Sequence, residues 1–217
     1  MSEQAQKIAG LIFIIAGNLI PFYGLYAWGW DIFSVFFLYW AENAIIGVYT
    51  LLMMLTYNVR HGIFTFIGGL FMMAFFCVHY GMFCMGHIAI ISELFGPKLD
   101  HHNFQPSDLL PLLLSPQIQG FYSGILGIAI AEAFQCFDAY RLKYSKAPRL
   151  DHIMFSPYGR IIVLHVGVLV GGLMAQSLGS PVWALAVLMG LKTLYDVTIF
   201  KTREAEQKDV PENPQNI

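Results

Sequence analysis

The sequence predicts an all-α fold, a polytopic membrane helix bundle of about six transmembrane helices with both termini in the cytoplasm. Three observations predict it. First, hydrophobic residues make up 57% of the 217 and charged residues only 12%, about half the charge of an ordinary soluble domain. At a mean hydropathy of +0.59 the chain has too little polar surface to cover a globule and needs lipid as part of its solvent. Second, six apolar runs are each long enough to cross a hydrocarbon core about 30 Å thick at about 1.5 Å per residue. Third, lysine and arginine collect on one side when those runs are threaded alternately through a bilayer.

The first run covers 8–28. Only Lys7 precedes its apolar stretch, and Asn18-Leu-Ile-Pro21 stands where a small-residue cleavage site would be, so it reads as an uncleaved span. The break Trp28-Gly-Trp-Asp31 leads to a second run, 32–57, and a third, 63–94, is long enough to tilt. Residues 96–116 form the one long loop, proline-containing and carrying the solvated pair His101 and His102. Its Leu109–Leu114 piece is too short to span and suits the membrane interface. A fourth run, 117–140, is followed by the basic loop 141–157, then by a fifth run, 158–177, and a sixth, 181–200. Residues 1–203 thus form one transmembrane domain, and 204–217 a polar tail expected to be disordered.

With the N-terminus inside, ten of the twelve lysines and arginines fall on the cytoplasmic side. Lys98 alone lies outside, and Lys192 lies within the sixth run. Five or seven crossings would scramble this bias. The net charge of -2, without a basic patch interleaved with aromatics, excludes a nucleic-acid partner and leaves the lipid bilayer. Cys77, Cys84 and Cys136 lie in apolar runs at spacings that fit neither a disulfide framework nor a zinc ribbon, so they read as buried thiols. Gly120/Gly124 and Gly167/Gly171 have the G-x-x-x-G spacing that lets helices approach closely, within the chain or between copies in a homo-oligomer. The span-end aromatics, Tyr158 among them, suit an interfacial belt.

The polar residues inside the runs carry the functional information, because a charge at mid-depth costs about 2.5–3.5 kcal/mol on insertion scales and calls for a partner or water. Glu42 and Asn43 lie in the second run, His79 and His87 in the third, Glu132 in the fourth, His165 in the fifth, and Lys192 and Asp196 in the sixth. Counting from the cytoplasmic ends puts Glu42 and His79 near the midplane, with Glu132, His165, Lys192 and Asp196 below them. Lys192 and Asp196 are at i,i+4 and can pair within their helix. Arg160 sits at the cytoplasmic mouth of the fifth run and reads as a positive-inside anchor.

Four chemistries can use this set. Imidazole and carboxylate ligands suit zinc, iron, manganese or copper, with Glu42, His79 and His165 as ligands, Asp196 and His87 as further ones, and Asn43 holding Glu42. No H-E-x-x-H or E-x-x-H motif is present, and His79 and His87, offset by about 80° and 12 Å, cannot ligate one ion together. Carboxylate–histidine sets also serve proton-coupled transporters and channels. Haem, with His79 and His165 as axial ligands, is a weaker reading. The fourth is a scaffold whose polar layer only holds helices together.

Four stretches carry a resemblance: Leu38-Tyr-Trp-Ala-Glu-Asn43, His79-Tyr-Gly-Met-Phe83 continuing to His87, Pro157-Tyr-Gly-Arg-Ile-Ile-Val-Leu-His165, and Leu191-Lys-Thr-Leu-Tyr-Asp196. In this order and spacing the chain resembles a bacterial family of multi-span membrane proteins known only as domain of unknown function 6498. The likeness covers about residues 10–205. It implies the bacterial inner membrane as location, and Glu42, Asn43, His79, His87, Arg160, His165, Lys192 and Asp196 as parts of the family pattern. The pattern also implies a histidine in the fourth run, where this chain reads Ile130-Ala-Glu-Ala-Phe-Gln-Cys136; were that histidine a ligand, Glu132 would have to replace it.

Overall fold

The computed structural model describes residues 3–27, 29–61, 63–96, 105–114, 121–122, 124–130, 133, 149–180 and 182–208, and all regular structure among them is helical. Helix α1 is Glu3–Ala27, α2 is Ile32–Arg60 and α3 is Ile63–Phe95. A 3-10 turn, Pro106–Asp108, leads into the short α4, Leu109–Leu113; α5 is Leu150–Phe155, α6 is Tyr158–Leu178 and α7 is Val182–Lys208.

The local chemistry of the breaks explains the boundaries. Asp31 caps α2, its carboxylate accepting the Ser34 backbone N–H at 2.7 Å, which satisfies one of the donors a helix start leaves open. Gly179 ends α6 at φ 68, a left-handed conformation that glycine adopts without a Cβ penalty. Helix α7 runs on through 204–208, five residues into the expected tail, where Glu204, Glu206 and Lys208 are good helix formers. Part of the expected basic loop is likewise helical, as α5.

Four helical stretches are long and apolar enough to cross a membrane: Ile32–Arg60, Phe66–Phe95, Leu150–Leu178 (α5 with α6) and Val182–Thr202. Of the two other expected spans, the first forms α1. The fourth lies largely outside the described residues, with 124–130 helical. The outer faces carry apolar stripes at helical spacing, Val48, Leu52, Leu55 and Val59 on α2 and Ile67, Phe71, Phe75, Val78 and Met82 on α3, all exposed. Outward-facing stripes of this kind need lipid as solvent. Cys77 is exposed on this surface rather than buried, while Cys84 is buried; Cys136 lies outside the described residues, as do His101 and His102.

Helix α2 is central. Phe33, Val35, Phe36, Phe37 and Trp40 are buried against Ile88 and Ile91 of α3, Leu164 and Val168 of α6, and Leu185 and Leu188 of α7, with Leu112 of α4 closing one end. A second cluster, Met54, Phe76, Tyr80, Ile153, Met154 and Ile161, joins α2, α3, α5 and α6 at the other end. Helices α6 and α7 cross closely because a Cβ on Gly171 would stand 2.7 Å from the Ala184 Cα, and one on Gly167 2.6 Å from a Leu188 methyl. This G-x-x-x-G face, expected to serve packing or oligomerisation, is thus filled by the chain's own α7.

Short connections make α2 antiparallel to α3 and α6 antiparallel to α7. By contrast, α3 and α6 run in the same direction: His79 meets Tyr158, and about two turns further along both helices His87 meets His165.

Candidate functional site

Tyr39, Glu42 and Asn43 lie at i, i+3 and i+4 on α2 and so share one helix face. Glu42 is ten residues from the start of α2 and Lys192 ten residues from the start of α7, each about 15 Å along its helix. The two side chains meet at that level, Glu42 Oε1 to Lys192 Nζ at 3.0 Å. Arg160 of α6 reaches the same carboxylate oxygen with Nη1 at 3.5 Å. Lys192 also pairs with Asp196, one turn along α7, at 3.3 Å. The Asn18 side chain of α1 donates to the same Asp196 oxygen at 3.0 Å, and the Lys192 ammonium stands 5.7 Å from the Tyr39 ring centroid. Two acids and two bases from three helices, with an amide from a fourth, thus form one charge-balanced quartet.

Depth counting separates Glu42 from Lys192 and Asp196 and puts Arg160 at the cytoplasmic mouth. The structure gathers all four: Glu42 and Lys192 lie at the same level, ten residues into their helices, Asp196 is one turn from Lys192, and the long Arg160 side chain carries its charge several ångströms from its own Cα to reach them. Asn43 does not hold Glu42. Its Nδ2 donates to the Tyr39 carbonyl at 2.9 Å, and its backbone carbonyl accepts from the Tyr80 hydroxyl at 3.0 Å. Its side-chain oxygen and the Tyr39 hydroxyl are buried without a partner among the described residues. A cavity of about 20 Å³ lies beside the quartet, between α2, α6 and α7.

The histidines form a separate region at the α3–α6 contact. His79 Nδ1 and the Tyr158 hydroxyl are hydrogen-bonded at 2.9 Å. His87 Nε2 and His165 Nδ1 are 2.8 Å apart, one nitrogen carrying the proton that both share. His87 is only 2% exposed, and its Nδ1 has no partner among the described residues. Phe83, one turn from each α3 histidine, presents ring contacts to His79 at 5.1 Å and to His165 at 6.2 Å between centroids.

The five residues expected as metal ligands therefore fall into three places: Glu42 and Asp196 with the two bases, His79 with Tyr158, and His87 with His165. Among the described residues no three His, Cys, Asp or Glu side chains are grouped to hold one ion. Glu132 lies outside the described residues. Sequence reading misses Asn18, a lone amide in the first apolar run, and Tyr158, which reads as part of the interfacial belt. An amide or hydroxyl inside a span is the signal available for both.

Comparison with known proteins agrees with the resemblance carried by the four motifs. A family of unknown function, DUF6498, matches over residues 1–213, and the chain belongs to that family. No curated protein and no solved structure matches it.

Proposed function

We propose that this chain crosses the bacterial inner membrane six times with both termini in the cytoplasm, and that its quartet is the proton-responsive switch of a proton-coupled transporter. The parallel course of α3 and α6 supports the count. Helix α3 ends on one side of the bundle and α5–α6 begins on the other. A further crossing by the apolar run 117–140 is consistent with that arrangement.

One observation carries the switch reading, the sharing of partners. Glu42 holds both Lys192 and Arg160, and Lys192 holds both Glu42 and Asp196. A proton placed on Glu42 removes the charge that both bases share and shifts the balance of the site toward positive, which favours a small anion. Helix fastening alone explains the quartet poorly. Each mid-depth charge costs about 2.5–3.5 kcal/mol, and well-packed apolar residues often replace a buried ion pair without loss of stability.

Hydrogen–deuterium exchange of the reconstituted protein tests this. Glu42→Gln, which stands in for the protonated carboxyl, should raise exchange in α2 and α7 above the wild type at the same pH. Liposomes carrying an internal pH dye should then report proton entry on addition of a transported anion from a panel of chloride, phosphate and small carboxylates. An exchange profile unchanged in Glu42→Gln, with no proton entry for any anion, would sink the reading.

A second reading rests on the 2.8 Å approach of His87 and His165. Two imidazoles on a tetrahedral zinc, with bonds of about 2.0–2.1 Å, stand about 3.3 Å apart. The pair would open by about half an ångström to take a transition metal such as zinc, copper, iron or manganese. Elemental analysis of tag-free protein tests it: metal lost in His87→Ala and His165→Ala but kept in Glu42→Gln supports a site here, and wild type without metal ends it.

A further inference from the structure

We infer that the first turn of α6 ties the histidine face to the quartet: the His79–Tyr158 hydrogen bond is a positioning contact that holds Arg160 within reach of Glu42. This does not rest on the transporter reading, since a quartet that only fastened helices would be held in the same way.

Pro157 has no N–H and interrupts the backbone ladder between α5 and α6. The Arg160 and Ile161 amides bond back to the Pro157 carbonyl, at 3.2 and 3.3 Å, so α6 starts afresh there. Side chains on other helices then set where its first turn lies, and three successive residues each meet a different helix. The Tyr158 hydroxyl and His79 Nδ1 of α3 are hydrogen-bonded at 2.9 Å. Gly159 lies against Tyr195 of α7, where an added Cβ would stand 2.5 Å from the hydroxyl oxygen. Arg160 Nη1 meets Glu42 of α2 at 3.5 Å. Tyr158 and Arg160 project about 200° apart at a rise of about 3 Å. Contacts on opposite sides of one stiff turn therefore move together.

Distances decide which contact yields first. At 3.5 Å the Arg160 contact is at the limit of a hydrogen bond, whereas Lys192 holds Glu42 at 3.0 Å and Asp196 at 3.3 Å. A small shift of the turn releases Arg160 before it disturbs Lys192, which α7 carries. The anchor is stiffer. The His79 ring is stacked on Phe75 at 5.2 Å and meets Phe83 edge-on at 5.1 Å, and the Tyr158 ring packs on that of Tyr80 at 5.8 Å. Arg160 reaches its partner on a long stem, so the place of its backbone decides whether the guanidinium arrives.

Arginine-selective labelling of the full chain in nanodiscs with phenylglyoxal, read by peptide mass spectrometry, tests this. Tyr158→Phe removes the hydroxyl and keeps the ring; His79→Phe removes the ring nitrogens and keeps an aromatic in the stack. Each should speed labelling of Arg160 about threefold, the factor that a membrane hydrogen bond of about 0.6 kcal/mol gives at about 1.4 kcal/mol per decade. The double variant should do no more than either one, because both delete the same bond. Glu42→Gln, which removes the partner itself, should set the upper rate. His165→Ala breaks the other α3–α6 hydrogen bond and should leave Arg160 at the wild-type rate, while the exposed Arg149 labels at one rate throughout. Arg160 labelling unchanged in Tyr158→Phe overturns the inference, as does a Glu42→Gln rate no faster than wild type. An equal rise in His165→Ala overturns it too, since the α3–α6 contact would then be loosening as a whole.

Discussion

The quartet around Glu42 and the histidine face between α3 and α6 both place polar groups within the apolar bundle, but they satisfy them in opposite ways. The quartet sets full charges against one another across α2, α6 and α7, with α1 added through Asn18. Among the described residues the histidine face has no formal counter-charge. Its imidazoles bond to each other or to a phenol and are surrounded by rings. Removing one member of the quartet leaves its charges unbalanced, whereas removing one histidine leaves a dipole unpaired. In lipid that difference sets the order of sensitivity.

The largest effect is expected at Glu42. Glu42→Gln keeps the shape and leaves Lys192 and Arg160 facing no shared carboxylate. Breaking a buried pair in this way costs about 3–5 kcal/mol, read as a large fall in Tm of detergent-purified protein. The charge-balanced double variant Glu42→Gln/Lys192→Gln should recover part of the loss. A Tm within about a degree of wild type for the single variant would mean that the quartet is open to water and its charges are solvated rather than paired.

Helix α6 serves both regions, since it supplies Arg160 and His165 and packs on α7 through glycine. Gly171→Leu would drive a side chain into α7, because even a Cβ at that position would stand 2.7 Å from the Ala184 Cα. Overpacking typically costs about 1–3 kcal/mol, and both regions should loosen together. Hydrogen exchange that rises around Lys192 but not around His165 would show that the histidine face holds α6 independently.

The two regions are not equally legible in the sequence. Helix positions are readable because apolar length acts locally along the chain. So is the list of buried ionisable groups, since Glu42, His79, His87, His165, Lys192 and Asp196 each interrupt an apolar run. Their partnering is not. Helix azimuth and side-chain reach decide that Arg160 climbs to Glu42, and that His87 takes His165 while His79 takes Tyr158. Lys192–Asp196 is the exception, because an i,i+4 pair needs only one helix.

Within the histidine face the measurable quantity is coupling. A double-mutant cycle of His87→Ala and His165→Ala isolates the shared hydrogen bond, and such bonds inside membranes average about 0.6 kcal/mol and reach about 1.7. The burial of His87 and the 2.8 Å contact argue for the upper part of that range. Strict additivity would mean that each ring is held by its aromatic neighbours alone.

The smallest effect is expected at Asn18, and it bears on whether the quartet extends to α1. Asn18→Ala removes one hydrogen bond to Asp196, which keeps Lys192 at 3.3 Å. A loss near the membrane average of about 0.6 kcal/mol follows, too small to move Tm far. Its location is more informative than its size. The Asn18 amide is buried at 6% exposure and reaches across to Asp196 on another helix. Hydrogen exchange should therefore rise along α1 while α2 and α6 stay unchanged. If exchange rises equally in α2, the amide is a full member of the quartet and steadies Lys192 through Asp196. If α1 is unmoved, its hold on α7 comes from apolar packing, and the charged network ends at three helices.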